Sequence, residues 1–316
     1  MSTHTLENFV IITNPVSGKG KGEKIAQYAH QRLTAAGRDG CVKHTTQSGD
    51  ATWLAAEAIE EGVGFLIACG GDGTVHEVVN AIARKPGVVL GILPCGKGND
   101  LANELGIPRQ PQRAVEVLLG GITRRVDLGK IGDRYFDTIV GCGYDAEVAR
   151  RVAEEGSPFS GTAAYVYTAL TTLFKYESPM VKLDGDFGSY EGKILLVATG
   201  ITASYGGGLR IAPNAVMDDG LLDVCIIKPV SRFTVVRMLV TLFWGGHTNH
   251  PAVNIHRTKS LRIHAEPPVL LYADGERVGY TPATIEIVKR ALTVVVPTYK
   301  VRAPYEPELQ QSPGAV

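Results

Sequence analysis

The 316-residue sequence predicts an α/β protein. A Rossmann-like parallel-sheet domain comes first, followed by a mostly antiparallel β-sandwich domain with helical insertions. Three observations carry that prediction. Up to residue 127, short apolar runs alternate with segments of helical periodicity, the pattern of a parallel sheet covered by helices. Beyond it, short β-rich runs punctuated by Gly, Pro and Asp dominate. The glycine-rich stretches of the first part fall where strands end, which is where sheets of this kind bind ligands.

Residues 9–13 read as the first strand, 23–36 as a helix ending at Gly37, and 42–46 as the second strand. Residues 51–61 are helical. The apolar run 65–69 has the length and composition of a buried third strand. Val75, Val78, Val79 and Ile82 then recur at i, i+3, i+4 and i+7, which predicts a helix over 75–84. Thr74 with Glu77 three residues on has the pattern of a capping box. Residues 88–93 form a fourth strand, followed by short helices near 100–105 and 113–119.

The later β runs are 135–140, 193–199, 221–227, 261–264, 269–273, 284–288 and 292–296, with helical insertions at 162–176 and 231–244. The change of texture at 127–130 divides the chain into 1–127, 128–298 and a tail, 299–316, that is expected to be loosely ordered.

Composition narrows the function classes. The chain is 44% hydrophobic and 20% charged, enough for a sizeable core and unlike a disordered segment. Thirty-two basic residues balance 32 acidic ones. No global field therefore draws nucleic acid or an anionic membrane to the surface, and any anion site must be local. The five cysteines are scattered without a CxxC pair, the usage expected of reduced thiols in a cytoplasmic protein. The N-terminus lacks the pattern of a secretory signal. No segment reaches the roughly 20 apolar residues that span a bilayer.

Three loops could carry chemistry. Gly70-Gly71-Asp72-Gly73-Thr74 joins a strand to a helix, and such a turn brings backbone N–H groups and the positive end of a helix dipole to an anion. A carboxylate at Asp72 would repel bare phosphate, but it suits a position that carries a cation or orients a hydroxyl. A tight turn with a capping Asp is the structural alternative. Residues 14–22, NPVSGKGKG, offer glycines, a hydroxyl and two lysines, as a phosphate cradle or as a solvated turn. They are not a Walker A loop. The third loop is 93–100, LPCGKGND.

The GGDGTxxE pattern at 70–77 resembles the nucleotide loop of diacylglycerol-kinase-type lipid kinases, sphingosine kinases and NAD kinases. The third loop resembles the PxGTxND segment of the diacylglycerol-kinase type, which NAD kinases lack. Asn14-Pro15 with Ser17-Gly18 resembles that family's first loop, Thr45 followed by Gly49-Asp50-Ala51 its TxxxGDA segment, and Gly141-Cys142-Gly143-Tyr144-Asp145 a recurring turn of its second domain. These matches run in order from residue 9 to 296. The sequence is identified as a member of the bacterial soluble lipid kinases of diacylglycerol-kinase type.

The resemblance implies ATP and Mg²⁺ as cofactors. It places Asn14, Pro15, Val16, Ser17 and Gly18 facing phosphates and Thr45 beside the nucleotide. Gly70, Gly71, Asp72, Gly73, Thr74, Val75 and His76 would wrap the phosphate chain. Lys97 stands where the family usually has threonine, and either neutralises a phosphate or points to solvent. His76 stands where the family usually has asparagine, and is read as a hydrogen-bonding partner rather than a metal ligand.

Residues 212–221 resemble the segment that holds a structural Mg²⁺, with Asp219 as side-chain ligand and Val216 and Leu221 giving carbonyls. An Asp-Gly hairpin is the alternative. Asp72, Asp100 and Asp127 would organise a catalytic Mg²⁺. In Asp274-Gly275-Glu276, Glu276 would be the general base that takes the proton of the alcohol, with Asp72 its catalytic companion.

The implied activity is Mg²⁺- and ATP-dependent phosphorylation of a hydroxyl of diacylglycerol or a related lipid. A NAD-kinase-like phosphotransferase and a non-catalytic nucleotide-binding regulator are the alternatives. The expected partner is a lipid at a membrane surface, reached by peripheral contact, with no nucleic acid; monomer and homodimer both stay open. Residues 231–244 would make a helix about 21 Å long, short of a hydrocarbon core of roughly 30 Å. That helix is either a core or interface element or a lipid-facing wall. The loop around His247 and His250 is expected to be structural.

Overall fold

A computed structural model describes residues 6–298, and the predicted tail lies outside the described residues. The first elements are β1 (Asn8–Thr13), a tight turn α1 (Ser17–Gly20), α2 (Gly22–Ala35), β2 (Asp39–His44) and α3 (Asp50–Glu60). They continue as β3 (Phe65–Gly70), α4 (Asp72–Ile82), β4 (Val89–Pro94), α5 (Asp100–Glu104) and α6 (Pro111–Gly120). Strands β2-β1-β3-β4 lie side by side in parallel. Strands β3 and β4 are buried along their whole length, as apolar runs covered on both faces must be.

The chain goes on through β5 (Ile122–Ile131), β6 (Arg134–Phe136), β7 (Ile139–Gly143), α7 (Tyr144–Arg150), α8 (Thr162–Thr172), β8 (Met180–Gly185), β9 (Gly188–Lys193), β10 (Leu196–Gly200) and β11 (Leu222–Ile227). It ends with α9 (Arg232–Thr241), β12 (Val253–Thr258), β13 (Ser260–Ala265), β14 (Leu270–Ala273), β15 (Glu276–Tyr280) and β16 (Ala283–Val296). Strand β16 is the hinge of the topology. Its first half pairs with β13, β5 follows it along both halves, and its last residues also run parallel to β4, Val294 beside Leu90.

One ten-stranded sheet therefore contains both the parallel strands and the antiparallel strands β5, β6, β13, β8 and β9. A second, wholly antiparallel sheet has the order β12-β11-β10-β7-β14-β15. The two face each other across one core, in which Leu183, Leu261 and Ile285 of the first sheet meet Val197, Val224 and Leu271 of the second.

Several boundaries differ from the sequence reading, each for a physical reason. The second strand is 39–44 rather than 42–46, because it follows β1 residue for residue from Asp39 opposite Asn8. The helix expected from 75 begins at Asp72 and has no side-chain N-cap. The capping box does not form. Glu77 instead reaches out of its helix and accepts from the N–H groups of Gly49 (2.9 Å) and Ala51 (2.9 Å), so it serves the start of α3. The run 135–140 breaks into β6 and β7 at Asp137-Thr138, whose N–H groups are taken by a side chain of the β14–β15 turn. Runs 284–288 and 292–296 are one strand, irregular where Arg290 adopts φ +51°. Position 127 lies inside β5.

Gly129 shows how tightly the sandwich closes. Its partner across β5 and β6 is Phe136, whose ring lies where a Cβ at 129 would be, within 1.9–2.3 Å.

Candidate functional site

Strands β1, β3 and β4 end on the same side of the sheet, so their three loops meet. Asn14 N–H donates to Cys69 O (3.2 Å) and Cys95 N–H to Gly70 O (2.8 Å). The loops then touch backbone to backbone. A Cβ on Gly96 would come within 2.5 Å of Gly71 Cα, and one on Gly18 within 2.5 Å of Cys95 O. Only glycine allows that approach, and Gly18 also needs its left-handed φ of +60°. Gly70 is confined in the same way by the side chain of Thr74.

Asp72 opens α4, the helix whose N-terminus faces the cleft. Its carboxylate accepts from Asn99 N–H (2.9 Å) and Asp100 N–H (2.6 Å), and so ties the second glycine loop to the third. Asp100 in turn accepts from Gly207 N–H (2.9 Å), which brings in a loop of the second half of the chain. Burial, with the charge of Asp72 added, raises the Asp100 carboxyl to about 7.

From the other side comes the β14–β15 hairpin. Asp274 and Gly275 form its two-residue turn, with φ of +50° and +82°, the signs a type I′ turn requires. The Asp274 carboxylate is nearly inaccessible and receives four donors: His76 Nδ1–H (2.9 Å), Asp137 N–H (2.8 Å), Thr138 N–H (3.0 Å) and Thr138 O–H (2.5 Å). It thereby pins the hairpin to α4 and to the β6–β7 break. Burial pulls the His76 imidazole down, but Asp274, with Asp137 and Glu276 behind it, more than offsets this, and its pKa lies at about 9.

The next residue but one in the hairpin is Glu276. Its carboxylate lies 3.9 Å from His76 Nε2 and 3.7 Å from Arg134 Nη1, and its side chain keeps 38% of its exposure. It is thus held beside His76 of α4 and remains reachable.

His76, Asp137 and Asp274 could present three ligand atoms within 4.8 Å of one another. Asp274 and His76 already spend their facing atoms on each other, however. Asp137 Oδ2 finds no partner, and burial, then the charge of Asp274, raises that carboxyl well above the usual range.

Gly18, Gly71, Asp72, Lys97, Asp100 and Asp274 line one end of a cavity of about 430 Å³. Its other end is apolar, walled by Tyr165 and Ala169 of α8, Leu209, Leu239 of α9, and Leu242. Lys97 borders the cavity rather than standing apart from it. Thr45 is buried, with its N–H donating to Thr13 O (2.9 Å), and stands behind the first loop. Val16 is exposed, while Asn14 Oδ1 accepts from its N–H (3.1 Å).

Two expected metal residues lie elsewhere. Asp127 does not join Asp72 and Asp100: it is buried beside the 217–220 turn, and its oxygens accept from Gly220 N–H (2.7 Å) and Arg290 N–H (2.6 Å). Asp219 accepts from Leu221 N–H (3.0 Å) and is ion-paired with Arg257. A guanidinium there neutralises the charge that a cation at Val216, Asp219 and Leu221 would otherwise meet, so these residues as they stand do not fit a Mg²⁺.

The cleft carboxylates do fit one. Asp72 and Asp100 both line the cleft, no ion pair to either is found among the described residues, and burial, then the charge of Asp72, raises the Asp100 carboxyl. A hard divalent cation relieves such a cluster.

Comparison with known proteins places these features in a family. Residues 8–131 match the family described as the diacylglycerol kinase catalytic domain, and residues 138–296 match the YegS C-terminal NAD kinase beta sandwich-like domain. A diacylglycerol kinase of Staphylococcus epidermidis is 32% identical over 288 residues, covering 91% of each chain. The chain belongs to the diacylglycerol kinase family. One of Bacillus subtilis is 31% identical over 294 residues, covering 92% of this chain and 96% of its own. The crystal structure of a diacylglycerol kinase from Bacillus anthracis superposes with a TM-score of 0.76 at 26% identity, over 93% of this chain and 98% of that one. Membership in the diacylglycerol kinase family makes the chain a phosphotransferase with an alcohol acceptor.

Sequence reasoning missed Asp274, Asp137 and Asn80. Asn80 is one turn below His76, donates to Tyr135 O (3.0 Å) and accepts from Tyr135 N–H (2.9 Å), and so fastens α4 to β6. Only Asp274 left a trace in the sequence, as the first residue of an Asp-Gly turn.

Proposed function

We propose that this member of the diacylglycerol kinase family phosphorylates a hydroxyl of diacylglycerol or a closely related lipid, with ATP as donor and Mg²⁺ as cofactor. One observation carries the reading. The glycine loops and the Asp274-Gly275 turn that leads into Glu276 line the same cleft, and that cleft continues into an apolar cavity. NAD, with its charged pyrophosphate and two riboses, matches such an apolar cavity less well than an acyl chain does.

In this reading the backbone amides of the three loops and Lys97 bind the phosphate chain at the α4 N-terminus. Mg²⁺, held by Asp72 and Asp100, supplies positive charge against the phosphate oxygens. Glu276 accepts the proton of the lipid hydroxyl as its oxygen attacks the γ-phosphorus. Asp274 and His76 fix the hairpin that presents Glu276. Phosphoryl transfer needs mainly positioning and charge stabilisation, and this chain supplies both.

The acceptor is reached at a membrane surface. Phe174, Phe233, Val240, Phe243 and Trp244 are exposed on the elements that also wall the apolar cavity. Segments 156–176 and 229–250 carry Lys175, Arg232 and Arg237 but no Asp or Glu, which suits an anionic bilayer. No helix among the described residues is long and apolar enough to cross it. Transfer of labelled γ-phosphate to lipids in mixed micelles, with NAD as rival acceptor, tests the reading. Label on NAD alone would refute it.

A further inference from the structure

Three consecutive glycines, Gly206-Gly207-Gly208, lie in the loop between β10 and β11, with φ of +58°, +80° and +117°. These angles are open to glycine and resisted by other residues. Gly206 and Gly207 border the cavity. Gly207 is held on both sides. Its N–H donates to Asp100 Oδ1 (2.9 Å), and its carbonyl accepts from Thr162 Oγ1–H (3.0 Å). A Cβ at position 207 would come within 2.4 Å of Thr162 Oγ1, so the hydroxyl fills the space that any larger residue would need.

Thr162 is the first residue of α8. A Cβ on Gly161, just before it, would lie 3.6 Å from Lys97 Cβ, so the start of α8 rests against the third glycine loop as well as against Gly207. Further along the same helix, Tyr165 and Ala169 wall the apolar end of the cavity. The loop has a second strut, where Ala203 N–H donates to Glu104 (3.3 Å). Asp100 and Glu104 are the first and last residues of α5, so the loop grips that short helix at both ends.

We propose that Thr162 is a positioning residue for phosphoryl transfer: its hydroxyl fixes Gly207, and the Gly207 N–H fixes the Asp100 carboxylate in the orientation that receives the cation. This rests on the assignment of Asp100 as a cation ligand in the proposed function. It deepens that reading by giving one helix, α8, two tasks, the apolar wall and the setting of a cation-binding group. A carboxylate that turns freely loses that freedom when a cation binds, whereas one already held by an N–H does not. Groups that orient a metal ligand in this way act on metal affinity without touching the metal.

The test compares the full chain as wild type, Thr162→Val and Thr162→Ser. Valine keeps the shape of threonine without its hydroxyl, and serine keeps the hydroxyl. Mg²⁺ is titrated at a fixed concentration of a non-hydrolysable ATP analogue, read as the rise in thermal midpoint, and again in labelled transfer to a short-chain diacylglycerol. Thr162→Val is expected to raise the half-saturating Mg²⁺ concentration about tenfold in both, with kcat at saturating Mg²⁺ and the diacylglycerol KM within about twofold of the wild type. Thr162→Ser should titrate like the wild type. Gly207→Ala, which sets a methyl group against Thr162 Oγ1, should raise the requirement too, and adding Thr162→Val to it should change little, because both act on one contact. A wild-type Mg²⁺ requirement in Thr162→Val overturns the proposal. So does a Thr162→Ser that behaves like Thr162→Val, or a Thr162→Val altered only in its diacylglycerol KM. An Asp100→Asn that titrates like the wild type, or a wild-type midpoint that Mg²⁺ does not raise, would instead strike the assignment of Asp100 as a cation ligand, and the proposal with it.

Discussion

His76 and Asp274 are 198 residues apart in sequence, yet His76 Nδ1 lies 2.9 Å from Asp274 Oδ2, with the two side chains only 6% and 3% exposed. This one contact joins the helix that starts at the phosphate loop to the hairpin that carries Glu276. It is the joint on which the two halves of the cleft are aligned.

A pH signature follows. The folded pKa of His76, about 9, lies above its unfolded value near 6.5, so the pairing stabilises the fold fully below about pH 6.5. That contribution, on the order of 3 kcal/mol, is lost as pH rises through 9. Urea unfolding of the wild type and His76→Asn at pH 6, 7, 8 and 9 should show the wild type losing its advantage over that range. Parallel curves would show that His76 is not charged in the folded protein.

Asp72 accepts hydrogen bonds from the N–H groups of Asn99 and Asp100, and in the proposed function it is also a cation ligand. Asp72→Asn is expected to lower Mg²⁺-dependent turnover by roughly 10²-fold or more, as loss of a charge-stabilising group does. The thermal midpoint should fall by only a few degrees. Full activity at ordinary Mg²⁺ concentration would remove Asp72 from the metal site.

Gly129 has no room for a methyl group beside Phe136. Gly129→Ala should therefore cost about 2–3 kcal/mol in chemical denaturation, the scale of core overpacking. Adding Phe136→Leu should recover part of it, because the two positions are in contact. An additive double mutant would mean that the strand moves rather than the ring.

Phe233 and Trp244 are exposed, at 73% and 62%. Replacing both with serine should weaken sedimentation with anionic vesicles about tenfold or more while leaving the thermal midpoint within about 2 °C. Unaltered vesicle binding would assign this face to something other than lipid.

Much of this was legible in the sequence where a signal is local. Apolar runs followed by glycine-containing loops gave β1, β3 and β4, and with them the meeting point of three loops. Asp274-Gly275 is the dipeptide that a two-residue hairpin turn favours, and the hairpin forms there. What escaped depends on distant partners. Glu77 obeys a local capping pattern, but its carboxylate is taken by the amides of Gly49 and Ala51, because α3 packs beside α4. Asp274 has the composition of a turn residue, and only the fold reveals that its carboxylate receives donors from α4 and from the β6–β7 break. Strands β8 and β9 are partly exposed with mixed polarity, so no apolar run marked them.

The most direct measurement compares γ-phosphate transfer to diacylglycerol by the wild type and by Glu276→Gln, with affinity for a non-hydrolysable ATP analogue measured alongside. The expected result is transfer by the wild type, a fall of roughly 10²–10⁴-fold in the variant, and nucleotide affinity unchanged within about threefold. Transfer by Glu276→Gln at the wild-type rate would contradict the account.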